Sequence, residues 1–211
     1  YAGASVSRGE LYNADPVTGD ARFCGTTASM CGMEKAGSEK DDAAMERAVR
    51  LDLMLHAYMF LQSGIPVLYS GDEIGALNDY SYKEYPEKAA DSRYLHRGAM
   101  RWDLAEKRKD ITSVEGKLFQ GLCLLENIRK TEKAFMSDAD TWTIETWEPA
   151  VLCMGRYYDG EKIIGLFNFS EQEKTAWIRE TDGSYSDLIS GDAVDPVDVL
   201  VPAYGFYYLK K

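Results

Sequence analysis

Three short clusters of residues could do chemistry in this chain. Asp72 and Glu73 follow Gly71, directly after the apolar run Ile65-Pro66-Val67-Leu68-Tyr69. Two carboxylates placed there can meet a ligand, or they can be a solvated turn whose charges favour a helix N-terminus. Asp91-Ser92-Arg93 sets a carboxylate shortly before a guanidinium, with His96 and Arg97 close behind. A planar guanidinium has five donors, so it can pair with a carboxylate and still donate to a ligand hydroxyl; equally, Arg93 can do no more than anchor its loop to Asp91 or Asp72. Asp20 and Arg22 form the third cluster, which could also be a surface ion pair of small worth. His96 reads by default as a hydrogen-bonding structural histidine, and His56, on an apolar helical stretch, as a core one.

The elements that must position these groups can be read from periodicity. Residues 65–69 are β-branched and aromatic with a proline near the start, which predicts a strand. A polar stretch without clear period follows until about Thr112, and loops that long are usually functional. A strand, then acids, then a long loop is how a (β/α) barrel builds its ligand-binding face. Before it, Met45, Val49, Leu53, Ala57 and Phe60 recur at helical spacing, with Asp41 and Asp42 at one end and Gly64 past the other. That predicts a helix over 41–62, more buried toward its end, where Leu51, Met54, Leu55, Tyr58 and Met59 widen the apolar stripe. Residues 1–22 read as an irregular loop dense in turn formers, and 23–37 as a short helix or tight coil. Thr112 and Glu115 have capping-box spacing, and Leu118, Leu122, Leu125 and Arg129 mark a helix to about residue 132.

Beyond that point the period changes to two. Trp142, Ile144 and Thr146 alternate, as do the residues of 151–158, and Asp159-Gly160 is a strong hairpin signal between 151–158 and 161–169. Asp182-Gly183 and Ser190-Gly191-Asp192 read as later turns, and 204–209 as a final strand. The fold class expected is α+β: helices and loops over 1–133, then an antiparallel β-sandwich over 134–211.

Composition narrows the function. The chain has 211 residues, 45% hydrophobic and 28% charged, enough for a sizeable core. Lys plus Arg number 24 against 35 Asp plus Glu, and the net charge of -11 disfavours nucleic acid and anionic membranes as partners. Fourteen tyrosines and four tryptophans suit carbohydrate stacking, although most aromatics in any domain are core. Cys24, Cys31, Cys123 and Cys153 form no C-x-x-C pair and read as four scattered buried thiols, so neither a metal site nor a disulfide framework is expected. No cofactor is implied. No apolar run is long enough to span a membrane and no signal peptide is seen, which with the free thiols predicts a cytoplasmic protein. The absence of an initiator Met suggests a chain cut from something longer.

The wording of Gly64-Ile65-Pro66-Val67-Leu68-Tyr69-Ser70-Gly71-Asp72-Glu73-Ile74-Gly75 resembles the last barrel strand of the α-amylase superfamily of glycoside hydrolases and transglucosidases. Leu77-Asn78-Asp79, the stretch 90–97 and the loop 11–22 are most similar to the amylosucrase group. The resemblance implies the last strand and last helices of a (β/α)8 TIM barrel followed by the sandwich. It implies sucrose or α-glucan as substrate, with Asp20 and Arg22 reaching toward the sugar cleft and Arg93, beside Asp91, closing the pocket of a glucosyl unit. Asp72, Glu73 and His96 are secondary candidates.

In that superfamily a retaining double displacement uses an Asp nucleophile, a Glu acid and a further Asp that follows a His. Here the two histidines precede Ala57 and Arg97. No catalytic carboxylate is therefore expected in this chain, and alone it should be inactive. Ala90 stands where the group carries a second acid, and 80–87 differ from its aspartate-rich version, so sucrose hydrolysis or another α-glucoside specificity stays open. A free-standing carbohydrate-binding or scaffold module is the alternative. Apolar flanks on 65–69 and 41–62 would also favour self-association.

Overall fold

The computed structural model describes residues 5–179 and 183–211. They form two compact units: the described residues up to Asp52 with Leu68–Gln120, and Leu53–Val67 with Gly121–Lys211.

The first unit opens with an antiparallel hairpin of β1 (Glu10–Tyr12) and β2 (Arg22–Cys24), in which Tyr12 faces Arg22. The expected loop survives only as its connection, held where the Asp15 carboxylate accepts from the Val17 and Thr18 amides at 2.7 and 3.1 Å. Helices α1 (Thr27–Cys31) and α2 (Met33–Glu39) follow, broken apart at Gly32, whose φ of 105° needs no Cβ. Helix α3 (Asp42–Leu61) is capped by Asp41, whose carboxylate accepts from the Ala44 amide at 2.9 Å. It grows more buried along its length, as expected, and His56 lies in the core.

Residues 65–69 do not form the strand expected of them. They join no ladder, and Ile65 and Val67 are 86% and 76% exposed. A strand exists only through its neighbour's N–H and C=O groups, and no described segment supplies them here.

The aperiodic stretch beyond is a chain of short turns rather than a structureless loop. Its 3-10 turns are Asp72–Ile74, Tyr80–Glu84 and Ser92–His96, followed by α4 (Trp102–Ala105) and Glu106–Lys109. Aspartates open two of them: Asp79 accepts from the Ser81 amide at 2.9 Å and Asp91 from the Arg93 amide at 3.0 Å. Helix α5 (Val114–Thr131) is capped by Ser113, whose hydroxyl accepts from the Gly116 amide at 3.0 Å, and not by Thr112. Thr112 is already bonded to Asp110 through both its amide and its hydroxyl, which moves the helix start one residue on.

In the second unit lie β3 (Asp140–Ile144), β4 (Val151–Tyr158), β5 (Glu161–Asn168), β6 (Lys174–Ala176), β7 (Tyr185–Asp187), β8 (Ala193–Val194), β9 (Val199–Val201) and β10 (Phe206–Lys210). Six make an antiparallel sheet in the order β3-β4-β5-β10-β7-β8, while β6 pairs with β9. The β4–β5 turn has positive φ at both Asp159 and Gly160, the twist that closes a two-residue hairpin. One face of the sheet buries Cys153, Ile164, Leu166 and Leu209 with Val199 and Val201 of the ribbon. The other face carries Arg156, Phe167 and Tyr208, and Phe167 meets Tyr58 of α3 edge-on at 5.5 Å.

This second face also closes the end of α3. The fully buried Arg156 donates to the Leu61 carbonyl and, at 2.6 and 2.7 Å, to those of Ala134 and Met136. Arg129 donates to the carbonyls of Phe60 and Gly64, and the Tyr208 hydroxyl to that of Ala57. Arg129 and Arg156 thus take up the Phe60 and Leu61 carbonyls that the last turn of the helix leaves unpaired, and the phenol adds a second donor to the Ala57 carbonyl one turn earlier.

Asp182, expected in a turn, lies outside the described residues; Ser190–Asp192 does form one, around Gly191 with φ of 81°. Cys24, Cys31 and Cys153 are buried free thiols as expected, but Cys123 is exposed, because it falls off the Leu118, Leu122 and Leu125 stripe of α5. No helix among the described residues is long and apolar enough to cross a membrane.

Candidate functional site

The 3-10 turn Ser92–His96 is fastened to the first hairpin, since the Ser92 hydroxyl donates to the Leu11 carbonyl at 3.0 Å. That places Arg93 above β1. Its guanidinium carbon is 4.7 Å from the centre of the Tyr12 ring, and it grips Asp91 as a fork, Nε to Oδ1 at 2.8 Å and Nη2 to Oδ2 at 2.7 Å. The fork holds the Asp91 carboxyl down at about 2 and pushes Arg93 above its ordinary value. Both charges are therefore fixed across the working pH range. Nη1 of Arg93 has no hydrogen-bond partner among the described residues, and the side chain is 45% exposed. A guanidinium clamped on one edge, stacked on a ring and open on the other edge is arranged to donate to a ligand oxygen.

Arg22 comes to the same place. It pairs in register with Tyr12, so both side chains leave one face of the hairpin, and Arg22 is exposed. Asp20 is exposed at the end of the connecting turn, its carbonyl accepting from the Asp15 amide at 2.7 Å. The same hairpin and turn border an open cleft of about 500 Å³ lined by Glu10, Tyr12, Asn13, Tyr82, Lys83 and Ser92, whose wall does not include Asp20, Arg22, Asp91 or Arg93.

Sequence reasoning missed the polar knot at one wall of this cleft, in which Tyr82 and Lys83 both donate to Glu10. Burial would raise Glu10, but the bonds from Lys83 and Tyr82 outweigh it and hold it below the usual carboxylate range. Burial first, then the Glu10 carboxylate, pushes the Tyr82 phenol up. These partners are more than 70 positions apart, so no spacing could have joined them.

Asp72, Glu73 and His96 lie elsewhere in the same unit. Glu73 accepts from the Gly71 amide at 2.8 Å and Asp72 from the Tyr69 amide at 3.2 Å, so both carboxylates help close the turn they start. His96 meets the Tyr69 ring edge-on at 5.5 Å and lines a second cleft of about 400 Å³ with Gly71, Asn78, Asp79, Gly98 and Arg101. Its Nδ1 is buried without a hydrogen bond, and burial, then Arg97, lowers its pKa, so the ring is neutral at pH 7. Asn78 of the Leu77-Asn78-Asp79 motif is a brace: its side chain accepts from the Thr26 amide at 2.9 Å and donates to the Arg8 carbonyl at 3.1 Å. Among the described residues no group of three His, Cys, Asp or Glu could hold a metal ion.

No family model matches the chain. The glucosylglycerate phosphorylase of Escherichia coli (strain K12) is 26% identical over 155 residues, covering 72% of this chain and 26% of that protein. Among solved structures, AmyP in complex with maltose is similar at a TM-score of 0.61 and 17% identity, over 77% of this chain and 35% of its own. The trehalulose synthase of Pseudomonas mesoacidophila MX-45 matches at 0.59 and 18% identity, over 76% of this chain and 38% of its own. The maltogenic amylase of S. marinus matches at 0.53 and 23% identity, over 76% of this chain and 19% of its own. The chain thus spans about a quarter of the curated relative, and over about three quarters of its own length its fold is that of part of these solved enzymes.

Proposed function

We propose that this chain is the carboxyl-terminal part of a longer cytoplasmic enzyme that transfers the glucosyl unit of an α-glucoside, with sucrose as donor and an α-glucan or water as acceptor. The observation that carries the reading is the fork-clamped Arg93 stacked on Tyr12 beside an open cleft. Asp91 fixes the guanidinium plane, the open Nη1 donates to a sugar hydroxyl, and Arg22 and Asp20 frame the approach. The nucleophile and acid of the double displacement come from barrel strands outside this chain. The choice of sucrose rests on the resemblance of 90–97 and 11–22 to amylosucrases. The similarity to a glucosylglycerate phosphorylase favours a second reading, in which inorganic phosphate accepts the glucosyl unit.

The test is sucrose consumption by the complete enzyme, with and without inorganic phosphate, beside its Arg93→Ala variant. Oligosaccharide or glucose without phosphate supports transfer or hydrolysis, whereas glucose 1-phosphate formed only with phosphate supports phosphorolysis. Loss of one charge-assisted hydrogen bond should lower kcat/KM about 10- to 100-fold in Arg93→Ala. An active enzyme indifferent to Arg93→Ala would reduce Arg93 to a loop anchor. Sugar affinity in an enzyme that turns over no α-glucoside would favour the binding-module alternative.

A further inference from the structure

The second unit exposes two large aromatics where a sandwich has no packing need for them. Trp147 and Trp177 are 61% and 45% exposed, and their rings lie nearly parallel, 19° apart, with centroids separated by 6.0 Å. Trp147 has a φ of 59°, a conformation uncommon for a bulky residue, and such strain persists only where the surroundings impose it. Here they do. Thr146, just before it, is buried and donates its hydroxyl to the Val151 carbonyl at 2.9 Å, while its own carbonyl accepts from the Trp177 amide at 3.2 Å. The same backbone bonding aligns Phe169, whose amide donates to the Ala150 carbonyl at 2.9 Å. Trp147 and Phe169 line an open groove of about 760 Å³ with Glu145, Glu148 and Pro149.

We propose that this groove is a second sugar site, one that binds a neutral hexopyranose oligosaccharide. The inference stands on the groove alone and does not depend on the reading given above for Arg93. A pyranose has an apolar C–H face and a belt of hydroxyls, and the groove offers matching surfaces: the Trp147 indole, backed by its stack on Trp177, the Phe169 ring, and at the rim carboxylates that accept hydrogen bonds. Glu145 lies 3.7 Å from Arg179, which supplies donors, and Glu148 accepts from the Ala150 amide at 3.1 Å through one oxygen only. The rim charge selects against acidic sugars. It also selects against a second copy of this chain, because a two-fold contact here would set Glu145 and Glu148 against themselves.

Maltoheptaose is the probe, added to the protein while tryptophan fluorescence is followed. A saturable change is expected, weakened about tenfold by Trp147→Ala, the scale of one packed aromatic contact, and less by Trp177→Ala, which removes only the ring stacked behind Trp147. Trp102→Ala, a change to an exposed tryptophan of the other unit, should leave the affinity as it was. Should Trp147→Ala fold poorly, Trp147→Asn retains tolerance of positive φ and tests the same contact. Binding that survives the Trp147, Trp177 double substitution would overturn the proposal, as would no saturable change with maltoheptaose. Light scattering that shows a dimer abolished by Trp177→Ala, without sugar binding, would reassign the groove to self-association.

Discussion

The two compact units are built by different means. In the second, order comes from ladders: β4 and β5 pair over eight residues, β5 and β10 over five, and alternation assigns each side chain to a face. In the first, the only sheet among the described residues is three residues deep, and order comes from side chains that bond to backbone one turn at a time, at Asp15, Asp79, Asp91, Asp110 and Ser113. A ladder constrains many residues at once and leaves little freedom at any of them. A string of capped turns leaves its side chains facing outward and separately adjustable, and that is where Arg93 is found, while Arg22 lies on the short hairpin beside it. The same comparison makes the Trp147 platform unusual, since it is a strained, exposed feature on the regular unit.

Four measurements would break or sharpen this comparison. If the second unit is the cooperative one, Arg156→Met should cost the most, about 3–5 kcal/mol in urea unfolding, because it leaves buried carbonyls at Leu61, Ala134 and Met136 without a donor. A loss under about 1 kcal/mol would show that these carbonyls find other partners and that the unit is looser than its ladders imply. In the first unit the largest effect should come from Gly116→Ala. The added Cβ would lie 1.9 Å from the Asp110 carbonyl oxygen, so the turn that caps α5 must move. A net loss of about 1–3 kcal/mol is expected even though alanine favours a helix; a stabilised variant would mean that the turns yield freely.

The stacking of Arg93 on Tyr12 should be worth less, about 0.5–1 kcal/mol at an exposed site, read as the coupling in a double-mutant cycle of Tyr12→Leu with Arg93→Ala. Zero coupling would detach the hairpin from the clamp. The smallest effect is a titration. Asp91 is held low, so its contact with Arg93 is complete above the ordinary carboxylate range and is lost only as pH falls toward about 2. Carbon-detected NMR of the Asp91 carboxyl should give a midpoint near that value. Its return to the ordinary range is expected in Arg93→Ala, and an unchanged midpoint would mean that something other than Arg93 holds the proton off.

Legibility in sequence follows the same division. The helix over 41–62 and the Asp159-Gly160 hairpin were readable because their signals lie within one period of the chain. The clamp of Asp91 and Arg93 was readable for that reason too, two residues being enough to bring carboxylate to guanidinium. Tyr12 was not, because what makes it matter is an arginine 81 positions away. β1 and β2 are too short to show alternation. Residues 65–69 have the composition of a strand but no partner among the described residues, and composition cannot report whether a neighbour is there. Thr112 has the spacing of a cap, yet Asp110 competes for it and wins.

The closure of α3 bears on how the chain is made. The carbonyl of Leu61 waits for Arg156, 95 residues later, and that of Ala57 for Tyr208, 151 residues later. At ribosomal speeds of about 5–20 residues per second, roughly 8–30 s separate the synthesis of Ala57 from that of Tyr208. During that interval the apolar end of the helix lacks these partners, so the core it shares with the sheet can close only after β10 has been made.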